Sequence, residues 1–368
     1  MDNPVRVNLF QGAIAVFVVT IGTVFFPVAG VVVPIVGQAG WIAVLLGFLI
    51  PLPWVFMAAA LVRKGPIGEW GQSVKAWLGP WVGRVFLLYI AFCWAWLGGL
   101  LLAQGGMVFH NIALPATPPW IMSFALLILV VLADMRGVEV YVRSIELLVM
   151  VCLPFVTAFY LAILPTMQLE NLQPLLGDGP IRLAHAVYLV IPWAMEGILF
   201  GLFIGTHIKN NKRFGLTISL AVFGGGAALA LLTAFTLGVL GRGVTETYLY
   251  PTVELAQTAR VGFFLQGIEI FLYPLWFLAS YIKTGAAFVV VSESLRGVWA
   301  GATQPYRSLA LGVLFFAVSQ VPNTVQQVVA SLGRVDSTFF MAFYVIIPAL
   351  LLWVSIARKG DPNQSANS

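Results

Sequence analysis

Charge is scarce in this chain: Asp, Glu, Lys and Arg together make up 9% of its 368 residues. Soluble domains carry about 25%, so a water-soluble globular fold is excluded. The sequence has two cysteines, Cys93 and Cys152, and three histidines, His110, His185 and His207. Neither set has metal-ligand spacing, and a disulfide between the cysteines has no support, so no metal is expected. A Walker loop, a dinucleotide fingerprint and a nucleophile–base constellation are all missing. Neither catalysis nor a cofactor is expected. No long polar stretch remains from which a separate soluble domain could be built.

What is present is apolar sequence. Hydrophobic residues are 60% of the chain, and its mean hydropathy is +0.97. A membrane-spanning helix needs about 20 apolar residues. Ten candidate spans fit, at 9–33, 39–61, 83–109, 119–133, 144–165, 183–207, 214–240, 262–290, 307–322 and 338–357. The expected fold is an all-α membrane protein, one transmembrane domain over 1–368 with a polar tail at 359–368. Two five-span halves, 1–165 and 182–357, would lie in opposite membrane orientations, because an odd number of spans inverts each half. Between them, 166–182 is dense in turn residues, and Tyr248 to Leu255 is read as a short interfacial helix.

The net charge of +5 does not point to nucleic acid, because of where the charges sit. With a cytoplasmic N-terminus, fourteen of the 19 Lys and Arg, from Arg6 to Lys359, collect on one side. Arg182, Arg242, Arg260 and Arg334 fall on the other, and Lys283 lies inside a span. This bias is the positive-inside pattern, which places both termini in the cytoplasm.

The first and sixth spans are interrupted at matching depths, by Gly22 and Pro27 in one and by Pro192 and Gly197 in the other. Unwound backbone within a bilayer is tolerated only where protein or a polar cavity satisfies it. Paired breaks of this kind mark a solute site near the midplane. Gly22, Thr23 and Pro27 on the first span, with Trp193, Glu196 and Gly197 on the sixth, are the candidate ligand-binding residues. At the first break a half-helix N-terminus would suit a ligand carboxylate. At the second, the Glu196 carboxylate would suit an ammonium group or a cation; otherwise it caps freed backbone.

A charge at bilayer depth costs about 2.5–3.5 kcal/mol even on permissive scales, so each needs a reason. Glu269 and Lys283 share a helix face but stand about 21 Å apart at 1.5 Å per residue, too far to pair. They are candidates for a coupling or ion path. Lys283 either snorkels to the interface or sets its ammonium where a sodium ion would sit between the eighth and first spans. Glu146, close to Arg143, is read as one half of an interfacial ion pair.

Several blocks carry a family resemblance. Tyr250-Pro251-Thr252-Val253-Glu254-Leu255, Gln266-Gly267-Ile268-Glu269, Trp276 and Ile282-Lys283 follow one another as in spore germinant-receptor B subunits, the GerAB/GerKB type. Asn171-Leu172-Gln173-Pro174 resembles the loop before that family's sixth helix, and Gly40-Trp41-Ile42-Ala43 the start of its second. The resemblance implies a fold similar to amino acid–polyamine–organocation permeases: a LeuT-like 5+5 inverted repeat of ten helices, with helices 1 and 6 broken. It also implies a small nutrient ligand, amino acid-like, with a receptor A subunit and a lipoprotein C subunit as partners. The spore inner membrane, or a bacterial cytoplasmic membrane, would be the location. Val24 stands where permease relatives usually carry a second glycine, a departure that bears on carboxylate binding. A self-sufficient proton-coupled amino acid permease and an ion-channel-forming receptor subunit are the alternative readings.

Overall fold

The computed structural model describes residues 7–66, 68–208, 212–258, 269–299, 301 and 303–359. It is helical throughout these residues, apart from connecting turns and one isolated bridge between Val7 and Ile208. Among the described residues, seven helical stretches are long and apolar enough to cross a membrane: Val28–Arg63, Pro80–Ile112, Val138–Thr166, Pro180–Gly205, Phe214–Thr247, Leu272–Val298 and Val325–Val354. Leu9–Phe25 and Pro119–Met135 are shorter apolar helices.

Ten full-length spans therefore do not emerge from length and apolarity, and the departures have local causes. The first expected span divides into Leu9–Ile21, a tight 3-10 turn at Gly22–Phe25, and Val28–Val36. The second is jointed at Ile50–Pro51, giving Gly40–Leu49 and Leu52–Arg63. Gln304–Ser319, in place of the ninth, has 16 residues. The last begins earlier than hydropathy indicates: Val325–Val335 passes through a π-helical turn at Asp336–Phe340 into Met341–Lys359.

The sixth span corrects the sequence reading most clearly. Pro180–Gly205 is one helix of 26 residues that continues through Pro192 and Gly197. Proline removes one backbone donor and often only kinks a helix; here it deprives the Tyr188 carbonyl of its helical partner. Gly197 serves close approach instead of unwinding. A Cβ there would lie 2.3 Å from Thr20 Oγ1 of the first helix, and small residues are what let membrane helices meet at such distances.

Pro80–Ile112 and Glu269–Val298 form the centre of the bundle, with Gly98 and Gly99 admitting Phe315 and Val318 of the Gln304–Ser319 helix. Val138–Ile163 lies at the outside and turns Leu147, Met150, Leu153 and Leu161 outward. Such a face would aggregate in water, and it matches hydrocarbon. The short helix expected after Tyr248 is present as Pro251–Thr258. Glu146 departs from its expected ion pair. It accepts from Gln11 Nε2 at 2.9 Å, while Arg143 pairs with Glu139.

One end of the bundle is tied by Asp178. Arg242 donates to it in bidentate fashion at 2.7 and 2.8 Å, and Arg182 adds a bond of 2.8 Å. The Asp178 amide also donates to the Val36 carbonyl at 3.1 Å. The turn before the Pro180–Gly205 helix is thereby fixed to the ends of two others. Hydrogen bonds from Arg242, with a smaller contribution from Arg182, hold the Asp178 carboxyl below the usual carboxylate range. A lowered folded-state pKa gives stability that is present above the unfolded value of about 3.9 and is lost as pH falls through the folded value. Asp178→Asn should therefore have a lower melting temperature than the parent at pH 6, and the gap should narrow as the pH is lowered below about 4. A gap unchanged by that lowering in thermal melts would show that the tie does not depend on ionisation.

Candidate functional site at the first-helix break

The break at Gly22 follows from backbone chemistry. Gly22 has φ +32° and ψ −130°, a conformation that side-chain-bearing residues rarely adopt. Carbonyls freed at such a turn need donors. Thr252 Oγ1 supplies one, donating to the Phe25 carbonyl at 3.0 Å. The threonine of the Tyr250–Leu255 block thus holds the broken segment in place. Phe26 stacks on Trp276 with ring centroids 4.4 Å apart, and Phe25 packs edge-on against Phe26. Ring stacking and one hydrogen bond anchor the turn against the Glu269–Val298 helix and the short helix beside it.

Lys283 does not reach the interface. It is buried, and its stem lies against Gly22, where a Cβ would come within 2.4 Å of Lys283 Cδ. Its ammonium pairs with Glu196 Oε2 at 3.0 Å, and both side chains are at most 4% exposed. The snorkelling reading is thereby corrected. The partner is a carboxylate on another helix, so the ammonium has no need to leave the interior. The other Glu196 oxygen, Oε1, has no hydrogen-bond partner, and neither has Gln104 Oε1.

These groups border a cavity of about 220 Å³. Thr23 and Pro27 line it from the first break, Trp193 and Glu196 from the Pro180–Gly205 helix, and Lys283 from the Glu269–Val298 helix. Of the residues singled out from sequence, Gly22 and Gly197 are missing from this wall. Gly22 is covered by the Lys283 stem and Gly197 faces Thr20. Glu269 opens the Glu269–Val298 helix, and its side chain, like Gln266-Gly267-Ile268, lies outside the described residues.

Two polar groups on the wall are not legible in the sequence. Asp336 accepts from Trp193 Nε1 at 3.0 Å, and Gln104 lines the cavity from the last third of Pro80–Ile112. Asp336 precedes the last apolar run and reads as a loop residue; the π-helical turn that begins there carries it into the cavity. Such turns recur at functional sites. Gln104 sits in an apolar stretch, and an uncharged amide at that depth is the one cue available. The cavity wall thus offers two carboxylates, one of them already paired with the single lysine, and two unpartnered acceptor oxygens.

A family model described as "Spore germination protein" matches residues 6–328. The chain belongs to the spore germination protein family. The resemblance read from its motifs is therefore correct. Spore germination protein KB of Bacillus subtilis (strain 168) is 24% identical over 364 residues, covering 96% of this chain and 95% of the relative. Spore germination protein A2 of the same organism is 20% identical, covering 97% and 98%. The fold of this germination protein is similar to that of Mhp1, a nucleobase-cation-symport-1 family transporter solved in a closed conformation with bromovinylhydantoin bound. The TM-score is 0.66 at 14% identity, over 93% of this chain and 80% of the transporter. At that identity the likeness concerns fold alone. The family and the long apolar helices are those of an integral membrane protein.

Proposed function

We propose that this germination protein is the membrane subunit of a nutrient-germinant receptor, and that a small amino acid-like nutrient binds in the cavity beside the first-helix break. The observation that carries this reading is the buried Glu196–Lys283 pair, with the second Glu196 oxygen left free on the cavity wall. A buried acceptor without a donor costs about 1–3 kcal/mol. A ligand ammonium would recover that cost by donating to Glu196 Oε1 and Gln104 Oε1. The volume of about 220 Å³ lies below the roughly 300–1,000 Å³ of pockets for drug-sized ligands, which suits a small solute.

Thr23, Pro27 and Trp193 would shape the pocket, while Gly22 and Gly197 would act indirectly, by setting the turn and the helix spacing. Val24 in place of a glycine favours recognition of the amine end over the carboxylate end. Binding would bias the break at Gly22–Phe25 and pass the signal to A and C subunits in the spore inner membrane. The two five-helix halves, in opposite orientation with both termini cytoplasmic, are part of this reading.

The test is thermal stabilisation of the purified receptor by a panel of amino acids, with the A and C subunits present. A nutrient that raises the melting temperature should lose that effect in Glu196→Gln, while the variant still purifies as a folded protein. No shift with any nutrient in the panel would overturn the reading. The placement of Lys283 Nζ between the first-helix break and Glu196 also supports a second use, an ammonium in the position of a coupling cation. Uptake of an amino acid by this chain alone in proteoliposomes, abolished by collapsing the proton gradient, would favour the self-sufficient permease over the sensor.

A further inference from the structure

At the end of the bundle opposite Asp178, a cavity of about 680 Å³ opens between Trp70–Leu78, the start of Pro80–Ile112, the end of Glu269–Val298 and the start of Gln304–Ser319. Four basic side chains line it, Lys75, Arg84, Arg296 and Arg307, with two acids, Glu69 and Glu293. Both acids are committed to one cation: Arg296 reaches Glu69 at 3.6 Å and Glu293 at 3.4 Å. Among the described residues, the other three basic groups have no ion pair.

Arg307 is the informative one. It is only 8% exposed. Its guanidinium donates to Ser292 Oγ at 3.2 Å and to Gln304 Oε1, both neutral acceptors. The nearby Asp134 carboxylate is reached only through these neutral groups: Ser292 donates to it at 3.0 Å and Gln304 Nε2 at 3.4 Å. A buried charge whose direct partners are all neutral bears its desolvation cost with little compensation. Lys75 and Arg84 add two more cations to the same cavity. Even with Asp134 counted, four cations face three carboxylates, so the charge balance calls for an anion. A guanidinium fork matches phosphate oxygens well.

The surroundings identify the source of the phosphate. Trp81, Trp299 and Tyr306 flank the lining residues in the chain and are 77%, 78% and 75% exposed. The Trp81 ring carries the Arg84 guanidinium 5.5 Å from its centroid. Exposed Trp and Tyr mark the headgroup level of a bilayer. Charge bias assigns this end to the cytoplasm, and basic pockets between membrane helices on that side take anionic headgroups.

We propose that this cavity binds the phosphate of an anionic phospholipid headgroup, joining the four helices that meet there. The inference rests on the membrane orientation given above and is independent of the nutrient site.

The experiment is native mass spectrometry of the purified chain exchanged into mixed phosphatidylglycerol and phosphatidylcholine. Phosphatidylglycerol should be retained about tenfold over phosphatidylcholine. The double variant Lys75→Gln/Arg84→Gln, which removes two cations that make no ion pair, should bring the ratio near one. Arg307→Gln should do the same if it folds, and the double variant decides the matter if it does not. Arg143→Gln, a basic residue outside this cavity, should leave the ratio unchanged. Equal retention of the two lipids, an unaltered ratio in the double variant, or an equal loss in Arg143→Gln would each overturn the proposal. So would millimolar inorganic phosphate displacing the lipid, which would make the site one for soluble phosphate.

Discussion

Lys283→Met should destabilise the protein by about 3–5 kcal/mol, because it strands the Glu196 carboxylate in the interior. The pair is at most 4% exposed on either side chain, so water cannot take over the role of the lost partner. Glu196→Leu should cost a similar amount by leaving the ammonium unpaired. The double variant Lys283→Met/Glu196→Leu should recover most of the loss, since replacing both members of a buried pair by apolar groups of similar size is often neutral. Thermal or denaturant melts of the three variants in one detergent would measure this. If the single variants cost no more than a typical surface change of about 0.5 kcal/mol, the pair is not the buried anchor described here. The double variant also separates two roles of Glu196. It should fold but fail to respond to nutrient, because the free acceptor has gone with the charge.

Gly22→Ala should be strongly destabilising for so small a substitution. Two independent terms oppose it. A side-chain-bearing residue held at φ +32° costs on the order of 1–3 kcal/mol. The new methyl would also lie 2.4 Å from Lys283 Cδ, and overpacking of this kind costs about 1–3 kcal/mol. The Lys283 stem has little freedom to give way, because its ammonium is held by Glu196. The nutrient response should fall together with stability, since the 3-10 turn at Gly22–Phe25 must reshape. Gly243→Ala is the control: a Cβ there meets nothing within 4 Å, and it should be neutral or mildly stabilising. Equal melting temperatures for the two variants would contradict the account of the break.

Lys283 shows how far sequence reasoning reaches. The cost of a charge at bilayer depth singles it out, and Glu196 with it, but the sequence can relate the lysine only to Glu269, its companion on the same helix, and finds that one too far away to pair. Helical geometry gives distances within a helix and says nothing about which helices are neighbours. The contact that explains both residues crosses between helices and lies beyond any periodicity argument. Asp336 is hidden for a related reason. Hydropathy places it before an apolar run, and a π-helical turn moves it onto the cavity wall.

The two expected breaks divide along the same line. Gly22 begins a turn by its own backbone conformation, with Pro27 ending it, and both features are intrinsic to those residues. Pro192 and Gly197 are equally suggestive in isolation, yet the helix runs through them, because Gly197 is where Thr20 packs.

The membrane class, the charge bias, the first break and the short helix after Tyr248 can all be read from the chain without coordinates. Each follows from local hydropathy, charge or glycine and proline chemistry. Folding adds that the sixth helix stays whole, that Lys283 pairs with Glu196, and that Gln104 and Asp336 join them around one cavity. Those outcomes depend on which helices approach one another, and that is set by packing among residues far apart in the chain.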